Sequence, residues 1–301
     1  MDDKFISVIT PTYNRELLLH RVFNSLSSQT YHNFEWIIID DGSTDNTRTL
    51  VEEWTRSSNF RITYNYQVNS GKHIAVNKAV KLAKGYWIIL ADSDDSFRAD
   101  SLEFFINQSI DISTRLDYCG VSCRCYGEDQ KSILGSEFPK SKYIFDCRES
   151  DLKYRYKVTG ELWGMVKRDV LLEFPFKEII NAKFYPESII WDNIGNKYIT
   201  RYINEPLRYY HRDAKNSITK ANTYIRYNEN YYLWIHNINE NSKYLIYSPK
   251  MVIKSYIGFS MDSINCNMKF FKSLKEVTGL FKRLLCILFY PLGFIAHIMK
   301  E

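Results

Sequence analysis

Three apolar runs and one alternating stretch set the rhythm of the first hundred residues. Phe5-Ile-Ser-Val-Ile-Thr-Pro11 predicts a first strand that its proline closes. Phe34-Glu-Trp-Ile-Ile-Ile-Asp40-Asp41 predicts a second, and Ile62 to Gln67 alternates as a third. Trp87 to Ala91 is unbroken, β-branched and aromatic, and predicts a strand covered on both faces. Helical spacing appears between them. Leu18, Val22, Phe23 and Leu26 predict an amphipathic helix over residues 15–28, with Asn14 as its N-cap and Glu16 in its first turn. Leu50, Val51 and Trp54 predict a second, capped by Thr44 or Asp45. Ile74, Ala75, Ala79, Val80 and Ala83 predict a third, ended by Gly85, and Leu102, Phe105 and Ile106 a fourth, capped by Asp100 or Ser101. Strands alternating with helices predict an α/β fold with a doubly wound, mostly parallel sheet.

Past residue 105 the pattern loosens. After residue 215, Tyr, Asn and Ile dominate, with helical spacing in Tyr224–Ile235 and Met251–Ile264. The expected division is 1–105, 106–215 and a helical extension, 216–301. Leu284 to Met299 contains no acid, lysine or arginine and is flanked by Lys282-Arg283 and Lys300. A spanning helix needs about twenty apolar residues, and Pro291-Leu-Gly293 is expected to interrupt this one. A short aromatic stretch with basic flanks fits an interfacial membrane anchor better. A buried helix or an oligomer contact is the competing reading.

The polar positions add chemistry where strands end. Acids close the second strand (Asp40, Asp41) and the fourth (Asp92, Asp94, Asp95). The carboxyl rim of a parallel sheet is the usual place for a ligand. Carboxylate oxygens are hard donors, so Asp92-Ser93-Asp94 is a candidate site for Mg²⁺ or Mn²⁺ bridging a diphosphate; a solvated turn with capping acids is the alternative. Asp40 and Asp41 suit a base N–H or a ribose hydroxyl. The loop Thr12-Tyr13-Asn14-Arg15, between strand and helix, presents N–H groups to a phosphate or base, or is simply a βα connection. Lys72, after Gly71, is a phosphate contact or a surface lysine; the surrounding glycine spacing is not that of a P-loop.

Composition narrows the classes. The chain has 301 residues, 45% of them hydrophobic, with 23 Tyr and 18 Phe, enough for a sizeable core. A net charge of +5 is too modest for a dedicated nucleic-acid binder and suits phosphate handling or an anionic membrane surface. The polar, acidic N-terminus predicts no signal peptide. Six cysteines without a CxxC or a nearby histidine predict reduced thiols in a cytoplasmic protein.

Taken in order, Val8-Ile-Thr-Pro-Thr-Tyr-Asn14-Arg15, Ile39-Asp-Asp-Gly-Ser-Thr-Asp45, Asn77-Lys-Ala79 and Leu90-Ala-Asp-Ser-Asp-Asp95 resemble the family 2 glycosyltransferases of the GT-A fold, across roughly residues 5–105. The resemblance implies a nucleotide pocket lined by Thr12, Tyr13, Asn14 and Arg15, with Tyr13 against the base. It implies that Asp41 binds the uracil or ribose with Asp40 supporting it, and that Lys72 lies in a loop closing over the nucleotide. Asp92 and Ser93 would stand by the ribose or the metal's water shell, Asp94 would ligate Mn²⁺ or Mg²⁺, and Asp95 would help place the donor sugar. His211, in a stretch similar to the family's later strand and loop, would complete the metal or diphosphate site. Family members are mostly inverting, which implies one general base on the acceptor side. They usually carry it in a Glu-Asp pair. Here Glu187-Ser188 stands in that place, so Glu187 and Asp192 are both candidates, with Glu187 preferred. On a helix the two lie about 140° apart, so one faces the site better than the other. Trp163 or Trp191 would stack on a sugar, or pack in the core.

The implied activity is transfer of a sugar from a nucleotide diphosphate, a UDP-sugar by preference, to a glycan or lipid-linked acceptor hydroxyl. The implied setting is cell-surface polysaccharide synthesis, peripheral on the cytoplasmic membrane face. Two rivals stay open. One is a nucleotide-sugar-binding protein without turnover, which the Ser188 departure allows. The other is a nucleotidyltransferase, for which the loop after the first strand lacks the usual glycines.

Overall fold

The computed structural model describes residues 2–178, 185–211 and 223–299. β1 (Ile6–Thr12), α1 (His20–Ser27), β2 (Phe34–Asp40), α2 (Thr47–Ser57), β3 (Arg61–Tyr66), α3 (Lys72–Leu82) and β4 (Trp87–Leu90) alternate as the apolar pattern predicts. There follow β5 (Ser96–Phe97), α4 (Ser101–Ser109), β6 (Tyr118–Tyr126), β7 (Ile144–Cys147), β8 (Leu162–Lys167), α5 (Arg168–Glu173), α6 (Glu187–Lys197) and β9 (Ile199–Tyr209). Four helices close the chain: α7 (Thr223–His236), α8 (Pro249–Asn265), α9 (Phe270–Ser273) and α10 (Leu280–Ile298).

The strands form one sheet in the order β3-β2-β1-β4-β8-β6-β9-β5, with β7 alongside β9. β3, β2, β1 and β4 are mutually parallel, β8 runs against β4 and β6, and β6 and β9 are parallel again. The chain leaves β1 for β2 and β3, then returns to β4 on the other side of β1. That reversal opens a crevice at the carboxyl ends of β1 and β4, where the candidate acids lie. β1 and β2 are buried along their whole length, which explains their near-continuous apolar runs. Trp36, Trp87, Phe105 and Trp163 dominate the core, and Phe23 stacks on Trp54 at 4.4 Å over one face.

Contacts divide the chain into two units: Met1–Leu152, Val158–Tyr185 and Ile190–Lys215 in the first; Lys153–Lys157, Pro186–Ile189 and Asn216–Glu301 in the second. In the second, Tyr231, Ile238, Val252, Tyr256, Phe259 and Cys286 form a separate helical core.

Several local expectations are corrected. Regular helix α1 begins at His20, not at residue 15, because Asn14 and Glu16 bond instead to the loop after β2. Asn14 Oδ1 accepts the Thr44 N–H at 2.8 Å, and Glu16 Oε2 accepts the Asn46 N–H at 2.7 Å. Asp100 does not cap α4 with its side chain, which instead holds Arg98. Pro11 does not close β1, which runs on to Thr12. Gly85 is not a left-handed cap of α3. A Cβ there would lie 2.4 Å from the Ser7 nitrogen, so the residue permits backbone to pass β1. Pro291 does not interrupt the last helix; α10 runs through it.

Candidate active site

At the ends of β1 and β2, Thr12 aligns with Asp40, and the Asp41 N–H donates to the Thr12 carbonyl at 2.8 Å. Asp40 has no exposed surface. Its Oδ1 accepts the Ser43 N–H at 2.8 Å and its Oδ2 the Tyr64 hydroxyl at 2.6 Å. Burial, and then this bond, push the Tyr64 phenol far above its usual range. Asp40 therefore acts by positioning. Asp41 grips the loop before α3: Oδ1 accepts from Gln67 Nε2 (2.8 Å) and the Ser70 N–H (2.7 Å), Oδ2 from the Gly71 N–H (2.8 Å). Gly71, at φ 104°, turns the chain into α3 and delivers Lys72 to the crevice. The loop after β1 is stitched to the loop after β2. Asn14, at φ 51°, donates its N–H to Ser43 Oγ at 2.8 Å, and the Arg15 N–H donates to Thr47 Oγ1 at 3.1 Å. Tyr13 remains 46% exposed, and the buried Thr12 Oγ1 has no hydrogen-bond partner. A buried hydroxyl left unsatisfied in a crevice suits a ligand that supplies the missing bond.

At the end of β4, Asp92 to Asp95 make a tight turn closed by an Asp95 N–H to Asp92 O bond of 3.1 Å. Lys72 Nζ pairs with Asp92 Oδ1 at 2.6 Å. The Arg208 guanidinium, on β9 opposite Phe97, pairs with buried Asp95 at 3.0 Å and lies 3.6 Å from Glu161. Among the described residues Asp94 makes no ion pair, although Arg21 donates to its backbone oxygen at 3.2 Å. His211 Nε2 lies 2.9 Å from Ser96 Oγ, at the far side of the same turn. Ser93 is buried within it.

Three carboxylates crowd two cations here. Burial pushes Asp92 up, but Lys72, Arg208 and Arg15 outweigh it and hold the group below the usual carboxylate range. Burial, then the Asp92 charge, raise Asp94. Burial, opposed by Arg208, raises Asp95 to about 7. Such a set favours the arrival of further positive charge. No three His, Cys, Asp or Glu side chains among the described residues converge as a ready-made cage. What is present is one carboxylate without an ion pair among the described residues, next to a second, in a polar crevice. That donor set fits a hard divalent ion carried by one or two protein oxygens, with phosphate oxygens completing its shell.

Glu187 is the first residue of α6 and is half-buried; Asp192, on the same helix, is fully buried. Trp163 belongs to the core. Its indole N–H donates to Leu90 O at 2.8 Å and its ring packs on Phe97 at 5.0 Å, so it is not available to stack on a sugar. Cys119, Cys123 and Cys125 are free and buried on β6, and burial pushes their thiols up, Cys119 to about 12 and Cys125 to about 11. Arg208 was not legible as a site residue. The one signal was an arginine in the otherwise apolar run Pro206-Leu-Arg-Tyr-Tyr210.

The model of glycosyl transferase family 2 matches residues 7–159. The chain belongs to that family. It is a glycosyltransferase with the GT-A fold and its helical C-terminal region. It is 28% identical over 218 residues to a Campylobacter jejuni GalNAc(5)-diNAcBac-PP-undecaprenol beta-1,3-glucosyltransferase, covering 71% of this chain and 67% of the relative. Among solved structures it is similar to TarS of S. aureus in complex with UDP-GlcNAc. The TM-score is 0.61 at 16% identity, covering 99% of this chain and 92% of that one. A mannosyltransferase from Pyrobaculum calidifontis, in complex with GDP-Man and Mn²⁺, has a TM-score of 0.53 at 16% identity, covering 98% and 87%.

Proposed function

We propose that this glycosyltransferase moves a sugar from a UDP-sugar to a hydroxyl of a lipid-linked glycan, with inversion, using Mn²⁺ or Mg²⁺, at the inner face of a membrane. The observation that carries the reading is the unpaired Asp94 carboxylate between cation-held Asp92 and Asp95, at the rim where the loops after β1 and β2 are stitched together. The undecaprenol-linked substrate in the Campylobacter relative's name, and the UDP-GlcNAc and Mn²⁺ in the two structures, support the same class.

In this reading Tyr13 lies against the base and the Thr12 hydroxyl gains its missing bond from the nucleotide. Asn14 and Arg15 form the wall beside it. Asp41, held rigid by the 67–71 loop, offers its remaining lone pairs to the uracil or ribose, with Asp40 fixing it from below. Asp94, with Asp92 beside it, would hold the divalent ion, which when bound offsets charge on the departing diphosphate, and His211 would serve the diphosphate side of the site rather than the ion itself. Lys72 serves the diphosphate, Ser93 shapes the turn, and Arg208 keeps Asp95 aimed at the donor sugar. Glu187 takes the proton from the acceptor hydroxyl as its oxygen bonds to the anomeric carbon and the bond to the diphosphate breaks. Asp192 is the second candidate for that proton, but its complete burial favours Glu187.

Transfer from several UDP-sugars to an undecaprenyl-linked acceptor, with and without Mn²⁺, tests the reading. Metal-stimulated turnover that Asp94→Ala lowers by about a hundredfold or more is the expected result. Tight nucleotide binding with no turnover on any acceptor points to a binding module. Pyrophosphate release from a nucleoside triphosphate points to a nucleotidyltransferase.

A further inference from the structure

The outer face of α10 is a large feature that sugar transfer leaves unused. The inner face is committed. A Cβ on Gly293 would meet the Ile257 carbonyl of α8 at 2.8 Å, so only glycine lets the helices come so close. Tyr290 packs on Phe270 at 4.3 Å, Phe289 stacks on Tyr256 at 5.8 Å, and His297 Nδ1 lies 2.6 Å from Asn265 Oδ1. These positions recur every three or four residues and fill one side of the helix.

The opposite side carries Leu280, Leu284, Ile287, Leu288, Ile295 and Ile298, all exposed. They span about 100° of the helix circumference. From Leu284 to Met299 no lysine, arginine or acid breaks this surface. The chain that leads into it is cationic. Residues 269–288 contain Lys269, Lys272, Lys275, Lys282 and Arg283 against one acid, Glu276. The first three lysines are exposed, and Phe271, 76% exposed, stands among them.

We propose that this face docks on an anionic lipid bilayer, with α10 lying flat among the headgroups. Its 19 residues are long and apolar enough to cross a membrane. Crossing, however, would surround with lipid an inner face already fitted to α8, where Asn265 and buried Asp262 lie. A flat helix leaves that packing intact, sinks the leucine and isoleucine stripe into the acyl boundary, and brings the lysines to the phosphates. A second copy of the chain is the weaker occupant. A two-fold pairing sets the same patch against itself, lysines against lysines. The surface rests on exposure and charge, not on the donor chemistry.

The test uses the full chain, with vesicles of phosphatidylcholine alone or mixed with phosphatidylglycerol. Sedimentation with the mixed vesicles is expected, reversed by high salt. Replacing all three exposed lysines (Lys269→Gln, Lys272→Gln, Lys275→Gln) should weaken binding about a hundredfold. Leu284→Ser with Leu288→Ser should abolish it, while thermal midpoint and transfer to a soluble acceptor stay unchanged, since both side chains are exposed. Leu288→Cys carrying a polarity-sensitive dye should be quenched by lipids brominated near the headgroup. Quenching only by bromines at the chain ends overturns the flat orientation. No vesicle binding, or a dimer abolished by the double serine variant, overturns the proposal and leaves the sugar-transfer reading standing.

Discussion

Arg208 lies almost fully enclosed on β9, 3.0 Å from buried Asp95, and its Nε has no hydrogen-bond partner. Two groups that deep depend on each other. Arg208→Met is expected to cost about 3–5 kcal/mol, because it leaves an uncompensated carboxylate in the interior. Urea unfolding at pH 8 measures the loss, and adding Asp95→Asn should restore part of it, which a double-mutant cycle reads directly. Asp94→Ala, by contrast, removes a group with no ion pair and should leave stability nearly unchanged while lowering turnover. The two substitutions separate what holds the crevice together from what it uses.

Elements explain which of these features a sequence can reveal. β1, β2 and β4 are legible because each is a local apolar run and β3 because it alternates, and the acids after β2 and β4 are legible because they follow within four residues of the run's end. Arg208 is not, because its meaning depends on β9 reaching β5 from more than a hundred residues away. Asn14 misleads for a similar reason: its partner, Thr44, is thirty residues distant. Gly85 reads as a helix terminator but serves a contact with β1. Ser7 Oγ accepts the Gly85 N–H at 2.8 Å and donates to buried Glu35 at 2.7 Å, with no room for a side chain beside it. Gly85→Ala should therefore destabilise by about 1–3 kcal/mol, as overpacking does. The thermal midpoint measures it, and Lys84→Ala, its exposed neighbour, is the control.

At the scale of the whole molecule, burial moves many phenols and thiols in one direction. Tyr64, Tyr118, Tyr202 and Tyr231 are raised, and so are Cys119, Cys123 and Cys286. These are acids whose folded values lie above their unfolded ones, about 8.5 for thiols and 10 for phenols. As pH climbs past those unfolded values, the unfolded chain sheds protons that the folded chain retains. Stability is then present below about pH 8 and lost progressively above it. The urea midpoint should fall steadily between about pH 8.5 and 11, and a flat profile over that range would contradict the burial of these groups.

The Lys72–Asp92 pair has one more implication. At rest the chain sets its own ammonium against its own carboxylate, across the mouth of the crevice. An anion that draws Lys72 away uncovers Asp92, and a cation that settles on Asp92 releases Lys72. Anion and cation therefore recruit one another by the same factor in either order. Under the proposed metal-dependent reading, either ion arriving alone has to break the pair unaided, so the crevice stays latched by the chain's own side chains until both are plentiful.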